Sequence, residues 1–177
     1  MNLPILKKPC IRTERLTLRP YAPRDTEQLV ALLTHPAVTK TFMVPDFAAR
    51  EQAVALAGRL IAMSRPEDTA HLEYGICLDD RLIGFVNDCG IEEDGIEIGY
   101  VVHPDEQGHG YATEAVRAVL QELREMSFKR VRAGYFEGND ASRRVMEKCG
   151  MQPTDETDEE EYRGVVHRCL YCEVRFD

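Results

Sequence analysis

Hydrophobic and polar positions change their spacing several times along the chain, and each change marks an element. From Arg15 to Pro20 (RLTLRP) the residues alternate and favour extended backbone, which predicts a strand. Pro23 and Asp25 open an amphipathic helix, RDTEQLVALL, with Leu29, Leu32 and Leu33 on one face. A longer helix is predicted over Phe47–Ser64, where Ala53, Leu56, Ala57, Leu60 and Ile61 recur at helical spacing. Three strand-like runs follow: HLEYGICL, LIGFVNDCGI after the turn at Asp79–Arg81, and IEIGYVVH after the turn at Glu92–Gly95. A continuous apolar stripe (Ala112, Ala115, Val116, Val119, Leu120, Leu123) then predicts a helix of about three turns. RVRAGYF reads as a strand and NDASRRVMEKCG as a short helix with both ends marked. Asn139 suits the N-cap, Asp140 the first turn, Lys148 the last turn and Gly150 the C′ position. Asp155–Glu161 reads as an acidic connector, and VVHRCLYCEVRF as the closing strand.

This order is a meander followed by a β-α-β crossover. It predicts a mixed α/β sheet rather than the regular alternation of a doubly wound fold. There are no internal repeats and no low-complexity linker, and 177 residues is the size of one domain, 1–177.

Composition narrows the class of function. No apolar run approaches the roughly 18–20 residues that span a bilayer, and the N-terminus lacks the apolar core of a secretory signal. A cytoplasmic protein with no membrane partner is expected. The net charge of -9 argues against nucleic acid as a partner and suits a cationic one, such as an amine or a basic protein. The six cysteines do not resemble a disulfide framework. Cys169 and Cys172 have metal-like spacing, but residues three apart on a strand point to opposite faces. Most of the six are expected to be buried thiols, and no metal is expected.

The chemistry centres on HPDEQGHGYATEAVRAVL, which sets Gly108 and Gly110 just before a helix. The first turn of a helix carries unpaired N–H groups and the positive end of the macrodipole, and glycine lets an anion approach them closely. A tight turn that needs glycine for shape alone would look the same. No Gly-Lys-Ser/Thr follows, so this is not a Walker loop. Thr113 stands where a dinucleotide fingerprint needs its third glycine.

The surroundings sharpen the reading. Gln107-Gly108-His109-Gly110-Tyr111-Ala112 resembles the Gln/Arg-x-x-Gly-x-Gly/Ala signature of the GNAT superfamily of N-acetyltransferases. Asn139-Asp140-Ala141-Ser142 and Glu147-Lys148-Cys149-Gly150-Met151 resemble its second motif. Thr13-Glu14-Arg15-Leu16-Thr17-Leu18-Arg19 and Glu97-Ile98-Gly99-Tyr100 are similar to the RimJ/RimL-like branch, whose members acetylate ribosomal-protein N-termini.

The resemblance implies a mainly antiparallel central sheet flanked by helices, and acetyl-CoA as co-substrate. Amides over Gly108, His109, Gly110, Tyr111, Ala112 and Thr113, with Gln107 before them, would hold the pyrophosphate. Tyr100, Val101 and Val102 would pair with the pantetheine arm, and Asn139 would lie near it. It also implies an amine acceptor, either a peptide N-terminus or a small molecule, and a homodimer as a common assembly.

For the chemical step Glu97 is the candidate base and Glu73 the reserve. The family's strand at Glu97 usually carries a bulge. Ser142 is the candidate to assist the leaving thiolate, because Met146 occupies the position of the family's usual tyrosine and cannot donate a proton. Structural alternatives stand beside these roles: an ion pair for Glu97, a first-turn hydroxyl for Ser142, an N-cap for Asn139. His71, His103, His109 and His167 read as structural, and Arg143 and Arg144 as a solvated helix face in preference to a contact with a CoA phosphate. The acidic run could attract a cationic acceptor or be a solvated loop. Two further functions remain open, a non-catalytic acyl-CoA sensor and a small-molecule amine acetyltransferase.

Overall fold

A computed structural model describes residues 2–177. The chain opens with β1 (Ile11–Arg12) and β2 (Thr17–Arg19), followed by three helices, α1 (Thr26–Thr34), α2 (Pro36–Thr39) and α3 (Arg50–Met63). The meander is β3 (Glu73–Leu78), β4 (Arg81–Ile91) and β5 (Gly95–Val102). Then come α4 (Tyr111–Glu125), β6 (Arg130–Phe136), α5 (Asp140–Lys148), β7 (Gln152–Tyr162) and β8 (Val165–Arg175). The strands form one eight-stranded sheet in the order β1-β2-β3-β4-β5-β6-β8-β7. Among the described residues only β5 and β6 are parallel, and α4 makes the crossover between them.

Alternation along each strand sends side chains to two cores. On β5, Ile96, Ile98 and Val102 join the core under α4 and α5, which also holds Leu18, Ile76 and Val86. Val101 points the other way, into a second core with Leu29, Leu33, Ala53, Ala57 and Phe85. The stripe predicted on α4 is the buried one: Ala115, Val116, Val119, Leu120 and Leu123 are all enclosed. Leu29, Leu32 and Leu33 of α1 are likewise buried, together with Val30.

The fold departs from the sequence expectation in several places. The acidic connector is a strand: Asp155–Glu161 lies within β7, paired antiparallel with β8. Seven consecutive residues almost all carrying carboxyl groups mask the alternation that marks a strand, and the hairpin partner β8 imposes the extended form. The long helix starts at Arg50 rather than Phe47, after Ala49 with extended backbone. The two-residue β1 and the single-turn α2 are too short to leave a periodic signal. Three cysteines are buried, not most of the six: Cys77, Cys169 and Cys172, with Cys149 intermediate and Cys10 and Cys89 exposed. Cys169 and Cys172 do fall in different cores, on opposite faces of β8. Among the described residues no helix is long and apolar enough to cross a membrane.

Candidate active site

The parallel pair gives the site its shape. β5 and β6 are in register only from Gly95 opposite Arg130 to Ile98 opposite Ala133, although both strands run further. Beyond that point they part. Gly99–Val102 stays paired with β4 through Asn87, Val86, Phe85 and Gly84, while its other side faces a cleft of about 950 Å³. Backbone polar groups along such an edge are obliged to find partners, so the edge can take an added strand-like ligand. The bulge expected at Glu97 belongs to the neighbouring strand instead. Asp88 faces Ile98 and Gly90 faces Glu97, so Cys89 is the extra residue and β5 itself runs straight.

At the end of β5 a 3-10 turn, Pro104–Glu106, leads into the glycine loop. Gly108 and Gly110 have φ of 83° and 82°, a left-handed conformation that side chains disfavour. Gly110 is the N-cap of α4, so the first-turn amides of that helix are presented at the cleft. Gly108, Gly110, Tyr111, Ala112 and Thr113 all line it, as does Gln107, whose side chain also donates to the Val102 carbonyl at 3.1 Å. His109 is set apart from the cleft lining, its ring against Tyr111.

Sequence reasoning gave no role to the clamp behind this loop. Arg15 donates to the His109 carbonyl (2.8 Å) and to Glu114 (2.9 Å), and lies over the Tyr111 ring at 4.6 Å. Thr13 also binds Glu114, at 2.6 Å. Burial tends to raise the Glu114 carboxyl, but the bonds from Thr13 and Arg15 prevail and hold it below its usual value. The signal was present in Thr13-Glu14-Arg15, which only a resemblance, not a period, could pick out. Outside the loop a second hollow of about 610 Å³ is bordered by Arg15, Arg117 and Lys148 and by Glu14 and Glu114.

The candidates for proton transfer sit on both sides of the cleft. On one side, Ser142 Oγ lies 3.0 Å from the Tyr100 hydroxyl, which also donates to the Ser142 carbonyl at 2.9 Å. Asn139 caps α5 by accepting from the Ser142 amide at 3.3 Å. Burial, above all, pushes the Tyr100 phenol above its ordinary range, so it remains a proton donor. The sequence marks Tyr100 only for its backbone; its hydroxyl becomes relevant through the fold, which brings it to Ser142. Met146 is buried in the core, 1% exposed, and contributes no polar atom.

On the other side, Glu97 is held by Arg132 at 2.8 and 2.9 Å, and Arg132 in turn binds Glu156 and stacks over Tyr171 at 4.5 Å. Asp158 and Glu160 of β7 line the same wall, so the acidic run has two carboxylates in the cleft. Tyr171 donates to Asp158 at 2.8 Å. Arg144 lines the cleft on the α5 side, whereas Arg143 pairs with Asp140 at 3.5 Å. His167 stacks on Phe136, with centroids 4.2 Å apart; His71 pairs with Asp68; His103 caps the 3-10 turn.

Glu73 is not in the cleft lining. It is 3% exposed and accepts from the Tyr21 hydroxyl at 2.7 Å. Burial raises its carboxyl to about 8, against the lowering effect of the Tyr21 bond. The folded chain therefore keeps a proton there that the unfolded chain releases above the ordinary value of 4.5. The stability this gives is complete in acid and drains away as pH climbs toward 8. Chemical denaturation should show wild type losing about 2 kcal/mol more than Glu73→Gln between pH 5 and pH 7. Parallel pH dependences for the two proteins would mean that Glu73 is ionised throughout.

Comparison with known proteins agrees with this geometry. The family described as an acetyltransferase (GNAT) domain matches residues 15–152. The chain is 27% identical to the uncharacterized N-acetyltransferase YoaA of Bacillus subtilis (strain 168), over 92% of this chain and 89% of that protein. Three solved structures share the fold. An acetyltransferase (GNAT family) from Bacillus anthracis is 24% identical with a TM-score of 0.77, over 94% of this chain and 98% of that one. The microcin C7 self immunity acetyltransferase MccE, in complex with acetyl-CoA and AMP, is 20% identical with a TM-score of 0.81, over 97% and 98%. RimL, a ribosomal L7/L12 alpha-N-protein acetyltransferase, is 17% identical with a TM-score of 0.81, over 94% of each chain. The chain thus belongs to the GNAT family and is an acetyl-CoA-dependent N-acetyltransferase.

Proposed function

We propose that the acceptor is a primary amine that reaches the enzyme as a cation, with a peptide α-amine the first to test. One observation carries this: the basic and acidic side chains of the cleft lining come from different elements. Arg144 and Lys148 stand on α5 with the first turn of α4 nearby, and Glu97, Asp158 and Glu160 stand on β5 and β7, where Arg132 offsets one of the three carboxylates. The basic group suits a pyrophosphate, and the acidic group concentrates an ammonium ion. RimL, a structural neighbour, acts on a protein α-amine by its name. The test is an acetylation screen read by release of free CoA, over peptides with free N-termini, amino acids and small amines. Basic acceptors should be preferred; preference for anionic or neutral ones would reject the reading.

In this mechanism the amides of α4 hold the pyrophosphate and the free edge of β5 holds the pantetheine arm. A β5 amide donates to the thioester oxygen as it gains negative charge. Glu97, fixed by Arg132, takes the proton of the ammonium directly or through a water. Ser142, with Tyr100 behind it, donates to the departing sulfur. Ser142→Ala should lower kcat about tenfold and leave acetyl-CoA affinity nearly unchanged, because the bond strengthens only as charge builds on sulfur. An unchanged kcat would reduce Ser142 to a helix-start hydroxyl.

A further inference from the structure

One wall of the cleft carries an apolar surface that cofactor binding and proton transfer leave without a role. Ile98 and Ala133 are the last facing residues of β5 and β6, so the strands part at Gly99 and Gly134. Glycine at both positions lets a ring come down on each strand. A Cβ at Gly99 would stand 3.0 Å from Phe42 Cε2, and one at Gly134 would stand 2.8 Å from Tyr171 Cε1. Arg132 already lies over the Tyr171 ring, so the apolar surface left open is on the Phe42 side. Phe42 is half-buried, Met43 beside it is 50% exposed, and both line the cleft. Alternation along β5 puts Gly99 on the face that Glu97 shares, so the Phe42 ring rests two residues along the strand from that carboxylate.

This surface is held from far along the chain. Phe42 and Met43 lie between α2 and α3, outside any helix or strand. At the end of β7, the Tyr162 hydroxyl donates to the Thr39 carbonyl at 2.7 Å, stands 3.2 Å from the Phe42 carbonyl and accepts from the Val44 amide at 3.3 Å. Arg163 donates to the Val44 and Pro45 carbonyls, each at 3.3 Å. Asp158, Glu160 and Tyr162 alternate along β7 and share one face. One strand thereby supplies two of the cleft's carboxylates and ties down its apolar wall. A methionine and a phenylalanine open to a cleft favour an apolar guest. The hydroxyls of a sugar would lose water there and gain no partner.

We infer that Phe42 and Met43 seat the carbon group attached to the acceptor's amine, so that the acceptor is a primary amine bearing a branched aliphatic or aromatic group and not an amino sugar. Phe42 and Met43 then set specificity, and Tyr162 is a positioning residue behind them. The inference rests on the primary-amine reading above.

Two series of singly charged amines test it. One is a set of dipeptide amides beginning with alanine, leucine or phenylalanine; the other is ethylamine, isoamylamine and phenethylamine, with glucosamine as the polar control. The two series separate a peptide N-terminus from a small amine. Release of free CoA gives kcat/KM for each compound. Within the series that is acetylated, wild type should use the leucine or isoamyl compound about tenfold better than the alanine or ethyl one, because the added carbons leave water. Glucosamine should be poorer than either. Phe42→Ala and Met43→Ala should each cut that ratio to about threefold or less and bind acetyl-CoA by calorimetry as wild type does. Met43 is exposed, so its variant serves if Phe42→Ala does not fold by circular dichroism. Tyr162→Phe should raise KM for the larger acceptors and leave kcat nearly unchanged. Equal use of small and large amines, a preference for glucosamine, or a leucine preference that survives in the folded variants overturns the inference. Acetyl-CoA that binds while no compound of either series is acetylated would instead overturn the primary-amine reading, and the inference with it.

Discussion

Acetyl-CoA affinity should fall about 100-fold in Gly110→Val. Two effects add. Gly110 has φ of 82°, and a β-branched residue forced into that region costs on the order of 1–2 kcal/mol. A side chain there also stands 3.4 Å from the Arg15 guanidinium and on the approach to the first-turn amides of α4. Loss of one or two amide bonds to a charged phosphate accounts for about 3 kcal/mol, or 100-fold. Gly108→Ala is the comparison. Its Cβ would meet nothing within 4 Å, so only the backbone strain at φ of 83° remains and the loss should be smaller. Calorimetry with acetyl-CoA on both folded variants measures the difference. Wild-type affinity in Gly110→Val would mean that the glycines serve the turn alone.

Glu97→Gln should lower kcat/KM about 100-fold near neutral pH and lose that defect as pH rises. The amide keeps the size of the side chain but accepts no proton, and general-base assistance contributes at least this much. An α-amine, with pKa of about 7.7–8.0, deprotonates unaided sooner than a lysine-like amine at about 10.4. The defect should therefore be smaller, and vanish at lower pH, for a peptide N-terminus than for an alkylamine. The Arg132 partner must be controlled for, because Arg132 also binds Glu156 and stacks on Tyr171. Arg132→Lys should keep much of the charge pairing and most of the rate. A Glu97→Gln enzyme that follows wild type across the whole pH range would remove Glu97 from proton transfer and leave the Arg132 pair as its role.

The fold was readable wherever a period was strong and long. The stripe of α4 buries five of the six residues that its spacing picked out, with Ala112 half-buried, and the three strand-like runs after residue 70 are the strands β3, β4 and β5. The β5-α4-β6 crossover followed from order alone. What escaped was set by partners distant in sequence. β7 is extended because β8 lies beside it, and its own residues gave no alternation to read. The Arg15–Glu114 clamp joins residues 99 positions apart, so no local pattern contains it. At the site, the glycine loop was legible because positive φ demands a particular residue type, whereas the environments of Glu97 and Glu73 were not. Both are carboxylates on strands of one sheet, β5 and β3, with β4 between them; one faces an arginine in the cleft and the other a tyrosine in the interior.

The sheet ends in two unlike edges. At one, β1 offers only Ile11 and Arg12, too few backbone groups to template another strand. At the other, β7 is eleven residues long and mostly exposed, a length that would invite edge-to-edge aggregation in an apolar strand. Its run of carboxylates makes such pairing self-repelling, since a second copy laid alongside would bring like charge against like charge. The composition that disguised this segment as a loop is thus also what lets a long open strand remain at the border of the sheet without recruiting its own kind.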